Sequence, residues 1–309
     1  MRNLLAVAGL VAAALAASVL PVHTQRWTPP RTPWNEPDVQ GYWTSTDILG
    51  TPVERPVELG EKAAYTDEEL KKLPEKPYIR GANDAFFGET QAHWRDYGKP
   101  QHQTSMIVDP ANGRLPAMTP DGARRQPLIP NESKGNLRDT TGVSPTARCI
   151  SRGVYGSMLP IGNSSGNHIV QSPGVVVIRN EMIHEARIIQ TDGRKHVGAA
   201  INGYMGDSKG RWEGDTLVVD TTNIKPGAGQ GPGLLMTSDS HMVERFTPVD
   251  ADTMQYRVTV EDPRTWTRPW TATYPLKRDP SYYLFEFACH EGNYLSMRAI
   301  LIGGRPAEK

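Results

Sequence analysis

Met254-Gln255-Tyr256-Arg257-Val258-Thr259-Val260-Glu261 alternates without a break between apolar and polar side chains. Met254, Tyr256, Val258 and Val260 share one face and Gln255, Arg257, Thr259 and Glu261 the other, the period-two signature of a strand. The polar face either meets solvent or lines a wet barrel interior. Runs of similar composition surround it at Gly174 to Arg179, Met182 to Ile189, Thr216 to Thr221, His241 to Phe246 and Tyr282 to Cys289. Asp192-Gly193, Glu213-Gly214-Asp215 and Asp250-Ala251-Asp252 separate such runs, as in successive hairpins. So many strands need their edges hidden, which a closed barrel or a two-layer sandwich achieves. The expected fold is therefore all-β, a lipocalin-like antiparallel β-barrel or sandwich over residues 105–305.

Upstream, residues 25–104 are rich in proline and poor in strand signals, and read as an extended wrap over the β domain. Asp38 to Trp43 supplies an early strand. Thr66-Asp67-Glu68-Glu69-Leu70 is the best helix start, with Thr66 as N-cap and Glu69 at the capping-box position. Ser105 to Pro116 reads as a hairpin around a Pro-x-Asn-Gly turn. Residues 120–148 read as a long polar loop, and Lys225 to Gly233 is too glycine-rich for regular structure. Asp207-Ser208-Lys209-Gly210 and Glu213-Gly214-Asp215 read as turns.

Met1-Arg2-Asn3 precedes an apolar run from Leu4 to Leu20, which reads as a signal peptide over residues 1–24 and places the protein in the periplasm or outside the cell. No second run is long enough to span a bilayer, so no integral membrane domain is expected after signal removal. Lys plus Arg (34) equals Asp plus Glu (34) with no block of like charge, which argues against nucleic acid as a partner. The two cysteines, Cys149 and Cys289, form an even pair in an exported chain, and a structural disulfide is expected.

The segment Trp212-Glu213-Gly214-Asp215-Thr216-Leu217-Val218-Val219-Asp220-Thr221-Thr222-Asn223 resembles a large group of secreted, mostly uncharacterised bacterial proteins. The resemblance extends through Thr259-Val260-Glu261-Asp262-Pro263, Trp266-Thr267-Arg268-Pro269-Trp270 and Cys289-His290-Glu291-Gly292-Asn293-Tyr294, and covers most of residues 100–300. It implies a secreted β-rich protein and carries no activity with it.

Chemistry must come from the residues. His184, His241 or His290 would move a proton near neutral pH, with Glu244 or Glu291 orienting the imidazole and Arg187 or Arg268 stabilising developing negative charge. Such groups suit a cofactor-free isomerase, lyase or cyclase acting on a small organic or sugar-like molecule, provided the barrel brings the histidines together. A metal is the competing use of three histidines and a carboxylate, but no His-x-His or His-Glu-x-x-His pair anchors one. Glu261, Trp266, Arg268 and Trp270 form a corner able to stack on a ring and fix its polar groups, which supports the alternative of a noncatalytic small-molecule or carbohydrate carrier. A third reading is a scaffold of the cell envelope.

Overall fold

The computed structural model describes residues 27–73, 98–126, 143–162, 164–227 and 235–303. The proposed signal peptide, most of the 120–148 loop and most of the glycine-rich loop after Lys225 lie outside these residues. Ten strands build one sheet: β1 (Gly41–Thr44), β2 (Ile107–Asp109), β3 (Gly166–Ser172), β4 (Val175–Asn180), β5 (Ala186–Gln190), β6 (Asp207–Glu213), β7 (Thr216–Thr222), β8 (His241–Pro248), β9 (Thr253–Glu261) and β10 (Trp270–Arg278). The order is β1-β3-β4-β5-β6-β7-β8-β9-β10, and β10 returns to pair with β1, so nine strands close a barrel while β2 adds to the other end of β10. Closure removes the exposed edges that a sandwich would keep.

The closing seam depends on the wrap. Trp43 sits opposite Arg278, whose guanidinium lies 4.3 Å from the indole centroid and donates to the Gln40 carbonyl at 2.7 Å. Gly41, at φ +121, admits that guanidinium, since a Cβ there would come within 2.7 Å of Nη1. The early strand expected at Asp38 to Trp43 is β1, and it closes the barrel.

Inside and outside follow the alternation. In β8 and β9, Met242, Glu244, Phe246, Met254, Tyr256, Val258 and Val260 point inward and are fully buried, while Arg257 and Glu261 face solvent. The polar face of β9 is therefore the outer surface, and the interior is apolar with a few polar exceptions. Phe246, Tyr256 and Tyr274 pack in tilted succession at 5.0 Å centroid spacing.

Several expectations need correction. Met182 to Ile189 is not one strand: Met182–His184 is a 3-10 turn, with Ile183 at φ 62 and His184 at φ 44, and β5 begins only at Ala186. Tyr282 to Cys289 forms no strand, and a helix, Asn293–Gly303, follows it. Asp207 to Gly210 opens β6 instead of forming a turn. Asp192-Gly193 makes no hairpin; residues 191–206 run back along the barrel so that β6 lies parallel to β5. The Pro110 to Gly113 turn exists, but β2 pairs with β10 and no hairpin partner follows it. Within the expected 120–148 loop, Pro120–Arg125 is a helix because Thr119 caps it by accepting from the Gly122 N–H. The Asp67–Leu70 helix has the full Thr66–Glu69 capping box that its sequence announces.

The two barrel ends differ. Tight connections at 173–174, 214–215 and 249–252 close one end. The other receives the described parts of the longer connections, 143–162, 164–165, 181–185, 223–227, 235–240 and 262–269, together with the extended chain after Tyr282. Gly153–Met158, a short helix, lies across this second end. Tyr274 Oη donates to the Met158 carbonyl at 2.6 Å, and Asn180 Nδ2 donates to the Ser157 carbonyl at 3.3 Å. Cys149–Cys289 joins the chain just before this helix to the C-terminal segment. Long connections on a rigid scaffold are where binding groups usually reside.

Candidate functional site: the loop-bearing end of the barrel

Arg187 of β5 and Glu244 of β8 meet across the barrel interior although strands β6 and β7 separate them in the sheet. Both are buried, at 4% and 0% exposure, and the pair is bidentate: Nη2 reaches Oε1 at 3.0 Å and Nη1 bonds Oε2. Tyr256 Oη donates to the same Oε1 at 3.0 Å. Burial pulls the Arg187 guanidinium down, but the charge and hydrogen bonds of Glu244 outweigh it and leave Arg187 raised. Burial foremost, then the Glu244 charge, pushes the Tyr256 phenol well above its ordinary range. These groups satisfy one another, so a structural reading suffices for the triad.

The histidines lie elsewhere. His184 is exposed on its 3-10 turn, where Nδ1 is 3.1 Å from the Phe287 carbonyl. His241 sits on the outer face of β8, opposite in direction to Glu244, and its Nε2 contacts Asp220 at 2.8 Å. His290 is exposed in the C-terminal segment. The expected convergence of His184, His241 and His290 with Glu244 or Glu291 in one pocket does not occur, because strand alternation turns His241 away from the interior and the other two precede or lie outside strands.

The Trp266 to Trp270 corner is split in a similar way. Trp266 and Trp270 are buried, at 1% and 0% exposure, while Arg268 turns outward to Asp109 at 2.5 Å and Glu261 faces solvent. No arginine stacks on either indole among the described residues. Instead Trp266 packs edge to face on Trp270 at 5.6 Å, and Trp270 packs edge to face on Tyr155 of the covering helix at 5.2 Å.

Polar satisfaction singles this trio out. Among the described residues, eight buried side-chain N or O atoms have no protein hydrogen-bond partner, and six of them, on Arg148, Arg152, Tyr155, Ser157, Trp266 and Trp270, belong to this end. Buried polar groups are nearly always paired, so such a concentration calls for an explanation. Tyr155 is enclosed, and burial pushes its phenol well above its ordinary range, with Glu54 adding to the effect. Arg152, just before the covering helix, is 2% exposed, and its buried Nε–H has no acceptor among the described residues. Burial lowers the guanidinium to about 10, and Tyr274 and Glu185 offset this only in part. Its main-chain N–H donates to Glu185 Oε2 at 3.1 Å. Glu185 is itself raised by burial despite the Ser151 hydroxyl and that N–H.

Sequence reasoning missed Arg152 and Tyr155, for no periodicity or motif marks a six-residue helix at a barrel mouth. It also passed over Gly162-Asn163-Ser164-Ser165-Gly166, which has Gly-x-Ser-x-Gly spacing. Ser164 sits at φ 52, but Ser164-Ser165 leads into β3 at Gly166 instead of into a helix, and no imidazole bonds the Ser164 hydroxyl among the described residues.

On the outer surface, His196 bridges two carboxylates, Asp207 at 2.8 Å and Asp220 at 2.9 Å, and Lys209 pairs with Asp207 at 2.9 Å. Burial opposes the Asp207 charge, but Lys209, the Val197 N–H and His196 outweigh it and hold its carboxyl below 3.8. A depressed carboxyl contributes stability above its unfolded value and loses it as pH falls through the folded value. Hydrogen exchange across 195–203 should therefore accelerate below pH 3.8, and an Asp207→Asn variant should show that faster exchange already at neutral pH. Equal protection in the two proteins at both pH values would contradict this. No group of three or more His, Cys, Asp or Glu side chains among the described residues is arranged to hold a metal ion. No helix among them is long and apolar enough to cross a membrane.

No protein-family model, curated protein or solved structure matches this chain, so its function must be argued from the barrel and the groups at its loop-bearing end.

Proposed function

We propose that this protein is exported and that its barrel binds a small organic molecule at the loop-bearing end, beneath the Gly153–Met158 helix, as a carrier rather than a catalyst. The observation that supports this reading is the contiguous trio Tyr155, Trp270 and Trp266, three aromatic walls each holding a buried polar atom without a protein partner. An aromatic surface with a few convergent polar groups is the usual composition of a small-molecule site. Nine strands also give a barrel slightly wider than the eight whose interior side chains just fill. The acid/base alternative is disfavoured by the separation of its histidines. Of the two carboxylates in that reading, Glu244 is already engaged by Arg187 and Tyr256, and Glu291 is exposed.

The test uses the neutral fluorophore N-phenyl-1-naphthylamine, which brightens in apolar surroundings. We expect saturable one-to-one binding with energy transfer from Trp266 and Trp270. Tyr155→Phe keeps the ring and removes the unpaired hydroxyl, so it should leave the fold intact. Trp270→Phe should diminish both transfer and affinity. Absence of saturable binding by the folded protein, or binding indifferent to Trp270→Phe, would refute the reading.

A further inference from the structure

We propose that the ligand of this site is an organic acid whose carboxylate pairs with Arg152. The inference rests on the lumenal binding reading above and assigns the chemical class of its ligand. Arg152 is enclosed at 2% exposure, its guanidinium carries five N–H donors, and its buried Nε–H has no protein acceptor among the described residues. Glu185 accepts from the Arg152 main-chain N–H, and its charge favours the guanidinium without offsetting the burial. A charged group removed from water without a partner destabilises a protein, and it is retained where a ligand completes it.

The unpaired atoms nearby agree in sign. Of the six at this end, four are N–H groups, on Arg148, Arg152, Trp266 and Trp270, which can only donate; the other two are the Tyr155 and Ser157 hydroxyls, which can also donate. None is an obligate acceptor. A ligand complementary to this set brings acceptors, and a carboxylate brings two oxygens in the geometry a guanidinium fork grips. Tyr155 and the two indoles would face the apolar body of the same molecule. Chain connectivity supports the assignment: Arg152 and Tyr155 are three residues apart on one covering segment, which Cys149–Cys289 ties down.

The probes are benzoate, phenylacetate and 2-naphthoate, each paired with its neutral amide, titrated by calorimetry and by displacement of N-phenyl-1-naphthylamine. At least one acid should bind roughly tenfold or more tightly than its amide, as a charge-assisted bond demands. Arg152→Gln should erase that preference while leaving fluorophore affinity within about twofold, since the fluorophore brings no oxygen acceptor to the guanidinium. Arg152→Met supplies an independent readout: without ligand it should raise the melting temperature, because it removes a buried charge that Tyr274 and Glu185 compensate only in part. Equal affinities of acids and amides, or an acid preference surviving in Arg152→Gln, would overturn the assignment while fluorophore binding left the lumenal reading standing. A lower melting temperature for Arg152→Met would mark Arg152 as a structural cation and also overturn it. If neither the probes nor the fluorophore bind the folded protein, both proposals fall together.

Discussion

Arg187→Met and Glu244→Gln, made singly, are each expected to destabilise the protein by about 3–5 kcal/mol, measured by urea unfolding. The reason is asymmetry of cost. The intact pair is bidentate and also accepts the Tyr256 hydroxyl, so each charge is compensated where it lies. Removing one member leaves the other enclosed at 4% exposure or less, with no water to replace its partner. The double variant Arg187→Met/Glu244→Leu should recover most of the loss, since a hydrophobic replacement of a whole buried pair is often neutral or stabilising. A thermodynamic cycle over the four proteins should give a coupling of at least about 2 kcal/mol. Single variants within about 1 kcal/mol of the parent would mean that water reaches the pair, and would reopen Glu244 as a group available to a ligand.

Breaking Cys149–Cys289 with paired serine substitutions should cost about 3–5 kcal/mol in the chain-entropy view, because the bridge spans 140 residues of sequence. Much of the visible consequence should be local. The bridge anchors the chain entering the Gly153–Met158 helix to a C-terminal segment otherwise held by contacts such as His184 to the Phe287 carbonyl and Tyr282 Oη to Glu181. Hydrogen exchange should therefore rise first in 147–158 and 284–292, and N-phenyl-1-naphthylamine affinity should fall while the far-ultraviolet signature of the barrel persists. An unchanged unfolding midpoint in the serine variant, together with unchanged protection of 147–158, would show that the helix needs no tether.

The legible parts of this fold were those with local causes. β9 announces itself by strict alternation, the Asp67–Leu70 helix by its capping box, and the 214–215 and 249–252 connections by Gly and Asp at their turns. β6 was hidden because Asp207-Ser208-Lys209-Gly210 has turn composition, yet β5 and β7 pair with it on both sides and supply the order its own residues lack. β10 was hidden partly by Pro275, which fits because β2 pairs near 271–272 and β1 near 277–278, leaving the proline between the two ladders. Tyr282 to Cys289 misled in the opposite direction: its β-prone residues never meet a partner strand.

The candidate site shows the same division more sharply. In β8 Glu244 and His241 fall on opposite faces, against the sequence expectation that Glu244 could orient that imidazole, and the Trp266 to Trp270 corner is split between interior and surface, whereas the cysteine pair forms the expected disulfide. Alternation is a property of one strand, so it says which side chains share a face without saying which face is inside. Barrel closure decided that: it took Arg187 and Glu244 inside, 57 residues apart in sequence, and left the histidines on turns and outer surfaces. Tertiary structure alone placed Tyr155 against Trp270 and enclosed Arg152 with its Nε–H unpaired among the described residues, because those relations arise from a short helix laid across strands distant in the chain. The sequence by itself determined the all-β character, the main strands and the disulfide pairing, since these follow from near-neighbour patterning or from there being only two cysteines. The partners available to each polar group were settled only when non-local pairing removed them from water.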